Sequence, residues 1–189
     1  MNLPNKLTLA RICLIPVFLL LYINSPYWGA VSRYAALLIF VIASMTDALD
    51  GHIARKQNLI TNFGKLMDPL ADKLLVCAAL VAMAGTHEIP SWVVILIISR
   101  EFIVTGFRML ALEQKIVIAA SALAKFKTIT QMILIILITL WIVPAWIISA
   151  ITWITTLLTV ASAVEYIVKN KKLLTEKAAP ASRPERRPI

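Results

Sequence analysis

Apolar residues fill most of this chain in long blocks, and short polar stretches separate the blocks. Six blocks stand out, at residues 7–23, 34–44, 70–84, 92–112, 128–143 and 146–168. A helix needs about 20 residues to cross the hydrocarbon core of a bilayer. The second and third blocks reach that length only when the polar residues beside them belong to the same helices. The pattern therefore predicts an all-α integral membrane protein with six transmembrane helices in a bundle.

The two ends of the chain differ from the apolar blocks. The first eleven residues mix polar side chains with Leu3 and Leu7, which predicts a short amino-terminal interfacial helix. Residues 169–189 are rich in basic residues and proline and poor in apolar ones, which is typical of a disordered segment. We therefore expect one membrane-embedded domain at residues 1–168 and a basic cytoplasmic tail at residues 169–189.

Charge fixes the expected orientation of this bundle. Only 15% of the 189 residues are charged, yet the net charge is +9. If the amino terminus is inside, the outer loops contain one basic residue, Arg33, in a loop expected at residues 24–33. The positive-inside rule then places both termini in the cytoplasm. The basic excess is explained by topology and by contact with anionic membrane lipids. No basic patch is interleaved with aromatic residues, so nucleic-acid binding is not predicted.

All four aspartates of the chain lie within residues 46–73, from the end of the second block to the start of the third. They are Asp47, Asp50, Asp68 and Asp72. Negative charges are costly beside hydrocarbon and repel one another, so a bound cation would relieve both terms. The spacings of three and four residues place each pair on one helix face. Carboxylates without histidine or cysteine select hard ions such as Mg²⁺ or Mn²⁺, and four suit two ions, as in phosphoryl displacement.

The aspartates belong to a longer pattern, Asp47-x2-Asp50-Gly51-x2-Ala54-Arg55-x8-Gly64-x3-Asp68-x3-Asp72. It resembles the signature of the CDP-alcohol phosphatidyltransferases at all eight fixed positions. The resemblance implies a site for two divalent cations, Mg²⁺ or Mn²⁺. In this hypothesis Asp47, Asp50 and Asp68 hold one ion, and Asp47, Asp68 and Asp72 hold the other. Asp72 is also the candidate catalytic base for the acceptor hydroxyl.

Other residues of the resemblance are expected to bind the nucleotide. Glycine permits close backbone approach to a ligand, and arginine offers a planar fork for a phosphate or a cytosine edge. The stretch Pro4-Asn5-x-Leu7-Thr8-x2-Arg11 is similar to the amino-terminal stretch of the family, where the Asn and Thr help to hold cytidine. The candidate nucleotide-binding residues are Asn5, Thr8, Gly51, Ala54, Arg55 and Gly64.

Basic residues in the fourth block and just before the fifth carry a second resemblance, which concerns the acceptor site. Arg100-Glu101-x6-Arg108 and Lys125-x-Lys127-Thr128-x2-Gln131 resemble the phosphatidylglycerophosphate synthase branch of the family, although Ala124 stands where glycine is expected. The resemblance implies that Arg100, Arg108, Lys125 and Lys127 bind the phosphate of glycerol 3-phosphate. A dianion needs two or three cations beside the metals. The structural alternative is that Arg100 pairs with Glu101 or with a neighbouring helix.

The resemblance implies a transferase of phospholipid synthesis. Its substrates would be CDP-diacylglycerol and sn-glycerol 3-phosphate, and its products phosphatidylglycerophosphate and CMP. It further implies a homodimer in a bacterial inner membrane, surrounded by membrane lipids, with its active site on the cytoplasmic face.

Three alternatives stay open on the sequence. The same chemistry could use inositol phosphate, serine or phosphatidylglycerol as acceptor, and only the basic residues of the fourth and fifth blocks oppose this. An intramembrane prenyltransferase also uses two aspartate-rich segments with Mg²⁺, but those segments lie far apart in the chain. A transporter with a carboxylate site would place its charges near mid-membrane on broken helices.

Overall fold

The computed structural model describes the backbone at residues 3–57, 62–113 and 121–175. It describes side chains at residues 9–46, 73–109, 111 and 121–169. The described backbone forms seven helices, which confirms the all-α class. They are α1 (Leu3–Ile23), α2 (Ser25–Trp28), α3 (Ala30–Gln57), α4 (Asn62–Gly85), α5 (Ser91–Glu113), α6 (Ala122–Leu140) and α7 (Ala145–Thr175).

The six long helices contact one another in a closed ring. In order around it, α1 contacts α3, then come α6, α7, α5 and α4, and α4 returns to α1. The core inside this ring comes from five of the helices and includes Phe18, Phe40, Leu80, Ile97 and Leu134, all fully buried. Between helices of a membrane bundle such side chains stabilise the contact by close van der Waals packing. This shared core sets the positions of α3, α4, α5 and α6, which carry most of the candidate site.

Helix α7 packs mainly through small hydroxyl side chains. Thr156 and Thr159 are buried, and each donates a 2.7 Å hydrogen bond to the backbone carbonyl four residues earlier, on Thr152 and Thr155. Because these hydroxyls are satisfied within their own helix, they can be buried against neighbouring helices at low cost. Small side chains at such interfaces allow close approach of helices in membranes.

The outer surface of the described bundle is strongly apolar. Leu38, Ile95 and Leu157 are each at least 60% exposed. By length and composition, α6 and the Ala145–Lys169 part of α7 could each cross a membrane, and a third or less of either is buried inside the chain. That low burial distinguishes them from core helices of a soluble protein. These two helices are the candidate spans among the described residues. The six-span arrangement stays a prediction.

Both ends of the bundle differ from the sequence prediction. Helix α1 begins at Leu3 and continues to Ile23 with Pro16 inside it, so no separate interfacial helix precedes the first long helix. A continuous helix keeps the backbone hydrogen bonds that a break before residue 12 would lose. Helix α7 continues past residue 168 to Thr175, with Lys169 paired to Glu165 at 2.5 Å. The rest of the predicted tail, residues 176–189, lies outside the described residues.

Arg33 was expected in an outer loop, and this is wrong. Residues 24–33 contain α2 and the first turn of α3, and Arg33 is only 4% exposed. Its guanidinium is ion-paired with Glu88, donates to the hydroxyl of Tyr22 at 3.2 Å, and donates to the carbonyls of Ile138 and Thr139 at 3.1 and 3.3 Å. We call these five residues the Arg33 cluster. A buried guanidinium is stable here because acceptors from three other parts of the chain surround it.

Candidate active site

The backbone places the four aspartates on two helices that contact each other. Asp47 and Asp50 lie on α3, Asp68 and Asp72 lie on α4, and α3 contacts α4. Residues 46–57 and 62–73 are helical, so the spacings of three and four residues do correspond to shared helix faces. The side chains of the four aspartates lie outside the described residues, and the assignment of metal ligands therefore stays a prediction.

A divalent cation fits the chemistry of this donor set. Four carboxylates on two adjoining helices offer only hard oxygen ligands, which Mg²⁺ and Mn²⁺ prefer. Among the side chains that the structure describes, no group of three or more His, Cys, Asp or Glu could hold a metal ion. The aspartates on α3 and α4 thus remain the candidate metal ligands.

The predicted nucleotide-binding residues lie on the three helices that meet around the aspartates. Asn5 and Thr8 are on α1, Gly51, Ala54 and Arg55 are on the last turns of α3, and Gly64 is in the first turn of α4. Helix α1 contacts both α3 and α4. The backbone therefore allows these segments to share one end of the bundle, although the side chains of these residues are outside the described set.

Arg11 connects this end of the bundle. It is 2% exposed, and its Nε donates to the carbonyl of Ala43 at 3.2 Å. Ala43 lies one helical turn before Asp47 on α3. Arg11 therefore fixes α1 against the part of α3 that leads into the aspartates.

A polar cavity of about 400 Å³ opens between α4, α5 and α6. Five of the residues around it are charged, and four of these are basic. The lining residues are Lys73, Arg100, Glu101, Val104, Thr105, Arg108, Ala124, Lys125, Thr128 and Ile129. We call it the basic cavity. Three of the four predicted acceptor-binding residues line it, namely Arg100, Arg108 and Lys125. Lys73 lines it too, and this residue directly follows Asp72 on α4.

The two arginines of the basic cavity keep hydrogen-bond donors without a partner. Arg100 is 7% exposed; its Nε donates to Ser162 Oγ at 3.2 Å and its Nη1 lies 3.4 Å from Glu101 Oε1. Arg100 Nη2 and Arg108 Nε are buried and have no hydrogen-bond partner among the described residues. Buried donors left unsatisfied are costly, by about 1–3 kcal/mol each or more when charged. Both residues line the basic cavity, which makes an anion in it the candidate partner for these donors.

Lys127 does not line the cavity, unlike the other three predicted residues. Its side chain is fully buried, and its ammonium is ion-paired with Glu101. On the opposite side of the same carboxylate, Lys73 Nζ lies 2.8 Å from Glu101 Oε2. Sequence reasoning missed Lys73 as a cavity residue, although its place next to Asp72 was a signal. It considered Glu101 only as a partner of Arg100, because the two lysines lie 26 and 28 residues away from it.

Ala124 takes the place of an expected glycine without disturbing the helix. Helix α6 begins immediately after Ser121, whose Oγ accepts a hydrogen bond from the backbone N–H of Ala124 at 3.2 Å. A serine at this position satisfies one of the free N–H groups of the first turn. The alanine is therefore an ordinary helical residue, and Lys125 and Thr128 follow it on the wall of the basic cavity.

Known proteins resemble this chain over most of its length. The family model for CDP-alcohol phosphatidyltransferase matches residues 1–161. A Bacillus subtilis protein named CDP-diacylglycerol–glycerol-3-phosphate 3-phosphatidyltransferase is 44% identical over 187 residues, covering 92% of this chain and 97% of the relative. Proteins of the same name from Rickettsia bellii and Escherichia coli are 42% and 41% identical, covering 90% and 70% of this chain and 96% and 73% of the relatives. The chain therefore belongs to the CDP-alcohol phosphatidyltransferase family.

Proposed function

We propose that this protein transfers the phosphatidyl group of CDP-diacylglycerol to sn-glycerol 3-phosphate, giving phosphatidylglycerophosphate and CMP. The observation that carries the proposal is the 44% identity to a relative named for this reaction, which extends over nearly the whole of both chains. The protein is thus an enzyme of phospholipid synthesis, a CDP-diacylglycerol–glycerol-3-phosphate 3-phosphatidyltransferase.

The basic cavity supports glycerol 3-phosphate as the acceptor. Arg100 and Arg108 present unsatisfied donors, and Lys125 adds a third cation on the wall. Charge-assisted bonds from such a set suit a phosphate dianion. Serine has no phosphate for these groups to bind, and a second phosphatidylglycerol would have to bring acyl chains towards a cavity with many charged groups. The names of the relatives favour glycerol 3-phosphate over inositol phosphate.

The proposed chemistry is an in-line displacement at phosphorus. A hydroxyl oxygen of glycerol 3-phosphate forms a bond to the phosphatidyl phosphorus, the bond from that phosphorus to the CMP oxygen breaks, and Asp72 takes the hydroxyl proton. Two Mg²⁺ or Mn²⁺ ions, held by Asp47, Asp50, Asp68 and Asp72, would supply charge neutralisation on the diphosphate when bound. Arg100, Arg108 and Lys125 hold the acceptor phosphate. Asn5, Thr8, Gly51, Ala54, Arg55 and Gly64 hold the nucleotide.

The proposed setting is a bacterial inner membrane, which six of the helices cross. The apolar outer surface, the two candidate spans and the bacterial origin of the named relatives support it. Both termini and the aspartate site would face the cytoplasm, where soluble phosphorylated metabolites such as glycerol 3-phosphate are found. We further propose a homodimer, on the resemblance to the family.

An assay of CMP release tests the reaction and the acceptor together. Purified protein in detergent micelles is given labelled CDP-diacylglycerol, Mg²⁺ and one alcohol at a time: glycerol 3-phosphate, inositol phosphate, serine or phosphatidylglycerol. We expect CMP release that depends on glycerol 3-phosphate and is lost in the Asp68→Asn variant. Equal or faster release with another alcohol would overturn the acceptor, and no release with any alcohol would overturn the reaction.

A further inference from the structure

Glu101 is an anomaly in the basic cavity. Among the described residues that line the cavity it is the one acidic residue, and it lies beside the arginines that we propose as ligands of the acceptor phosphate. A carboxylate next to a phosphate dianion is repulsive unless cations neutralise it. Its presence needs a reason other than direct contact with the acceptor.

The partners of Glu101 supply that reason. Its carboxylate is ion-paired with Lys127, lies 2.8 Å from Lys73 Nζ and lies 3.4 Å from Arg100 Nη1. Glu101 is 13% exposed and Lys127 not at all, so solvent screens these pairs weakly. The carboxylate thereby joins α5 to α4 and α6. Its contact on α4 is Lys73, the residue that follows Asp72.

The cations around the cavity divide into two groups. The ammonium groups of Lys73 and Lys127 are bound to Glu101, whereas Arg100 Nη2 and Arg108 Nε have no partner among the described residues. A lysine ammonium is a point charge on a flexible stem, which can follow a phosphate in many orientations. A guanidinium presents its donors in a fixed fork. Arg100 and Arg108, which keep donors without a partner among the described residues, are therefore the side chains that can fix the orientation of an anion.

We propose that Glu101 is a positioning residue, which holds Lys73 and Lys127 away from the acceptor phosphate and leaves that phosphate to Arg100, Arg108 and Lys125. Through Lys73, Glu101 also fixes α4 beside Asp72. This inference rests on the proposed function. Its consequence is that Glu101 lowers the attraction of the cavity for phosphate and raises the fraction of bound acceptor whose hydroxyl is aligned for attack.

The Glu101→Gln variant tests this division. It frees Lys73 and Lys127 to bind the phosphate, so kcat is expected to fall about tenfold or more while KM for glycerol 3-phosphate stays equal or falls, a tenfold change corresponding to about 1.4 kcal/mol. Binding of inorganic phosphate, measured by thermal shift without turnover, is expected to tighten by roughly three- to tenfold, on the scale of one ordinary net hydrogen bond. Glu101→Asp, which keeps the charge, is expected to recover part of kcat.

Two further variants separate positioning from folding. Glu101→Gln combined with Lys127→Met removes a buried pair together and avoids a buried unpaired ammonium. This double variant is expected to fold like the parent protein and to keep the low kcat, because Lys73 is still free. Glu88→Gln is the matched control, since it also removes a carboxylate from a buried arginine but lies in the turn before α5, and the helix from Ser91 to Glu101 alone is about 15 Å long. It is expected to lower the unfolding temperature and leave kcat, KM and phosphate binding unchanged.

Weaker phosphate binding in Glu101→Gln, or a raised KM with unchanged kcat, would overturn the proposal. So would recovery of full kcat in the double variant. The phosphate measurement does not depend on turnover, so a wild-type protein that releases no CMP would overturn the proposed reaction while the order of phosphate affinities still tests Glu101.

Discussion

At the scale of single residues, burial and hydrogen bonding distinguish basic residues that look equivalent in the sequence. Arg100, Arg108 and Lys125 line the basic cavity, Lys127 is buried against Glu101, and Arg11 is bound to a carbonyl of α3. A cation whose donors are already satisfied contributes structure, and one with an open donor can bind an anion. The number of cations in a segment is therefore a poor measure of how many of them bind a ligand.

Arg108→Met is expected to raise KM for glycerol 3-phosphate by about 10- to 100-fold. The variant loses a charged side chain that lines the cavity and whose Nε is buried without a partner among the described residues, and one hydrogen bond to a charged group contributes roughly 1.5–3 kcal/mol. Initial rates of CMP release at varied glycerol 3-phosphate measure the effect, and KM for CDP-diacylglycerol is expected to stay within about twofold, well under 1 kcal/mol. Lys169→Met, at an exposed site on α7, is the control. An unchanged KM in Arg108→Met would remove this residue from the acceptor site.

Removal of divalent cations is expected to abolish turnover, and Mg²⁺ or Mn²⁺ is expected to restore it. The reason is the four-carboxylate donor set on α3 and α4, which no described side chain can replace. Chelation followed by titration of each ion, with CMP release as the readout, measures this. Turnover that survives complete chelation would contradict the metal site.

Asp72→Asn separates a metal ligand from a catalytic base. An amide oxygen can still coordinate a divalent ion, but it cannot take the proton of the acceptor hydroxyl. We expect kcat to fall by about 10²- to 10⁴-fold, the usual contribution of general-base catalysis. Metal binding is followed separately by a Mn²⁺ titration, and a variant that binds both ions and keeps full turnover would refute Asp72 as the base.

At the scale of helices, two clusters of charged residues join the elements at different levels. Glu101, in the middle of α5, joins α4, α5 and α6. The Arg33 cluster joins the end of α1, the start of α3, the turn before α5 and the end of α6. The guanidinium of Arg33 also lies 5.0 Å from the ring centroid of Trp141, the C-cap residue of α6. The first cluster forms part of the candidate site, and the second fixes helix ends away from it.

Arg33→Met is expected to lower the unfolding temperature by roughly 6–20 °C. Breaking a buried ion pair by removing one partner costs about 3–5 kcal/mol, and each kcal/mol shifts the midpoint by about 2–4 °C in a chain of this size. Thermal unfolding in one detergent measures it. The double variant Arg33→Met/Glu88→Gln is expected to lose less than the sum of its two single variants, because the pair is removed together. Simple additivity would mean that the two residues are not coupled.

At the scale of the whole molecule, the closed ring of six helices determines which helix ends lie together. The ends that carry the aspartate motif and the amino-terminal residues lie at one end of the ring, and the Arg33 cluster lies at the other. If all six helices cross the membrane, the site and the cluster face opposite compartments. The arrangement therefore predicts a topology that labelling can test.

Single cysteines on opposite ends are expected to label from opposite sides. With Cys13 and Cys77 replaced by alanine, Ser91→Cys at the exposed start of α5 is expected to react with a membrane-impermeant maleimide added to intact cells. Ser182→Cys in the basic tail is expected to react only after the membrane is permeabilised. Labelling of both sites from outside would contradict the proposed orientation.

The sequence alone determined the fold class, the family and the segments that carry the aspartates, because helical periodicity, apolar length and a motif of fixed spacing are local properties. It also predicted three of the residues that line the basic cavity. Only the tertiary structure decided which basic residues are open and which are satisfied. Lys127 and Arg33 pair with carboxylates 26 and 55 residues away, and such contacts form only when helices pack. The fold determines which charged residues meet to form an ion pair, whereas the sequence determines only which residues are charged.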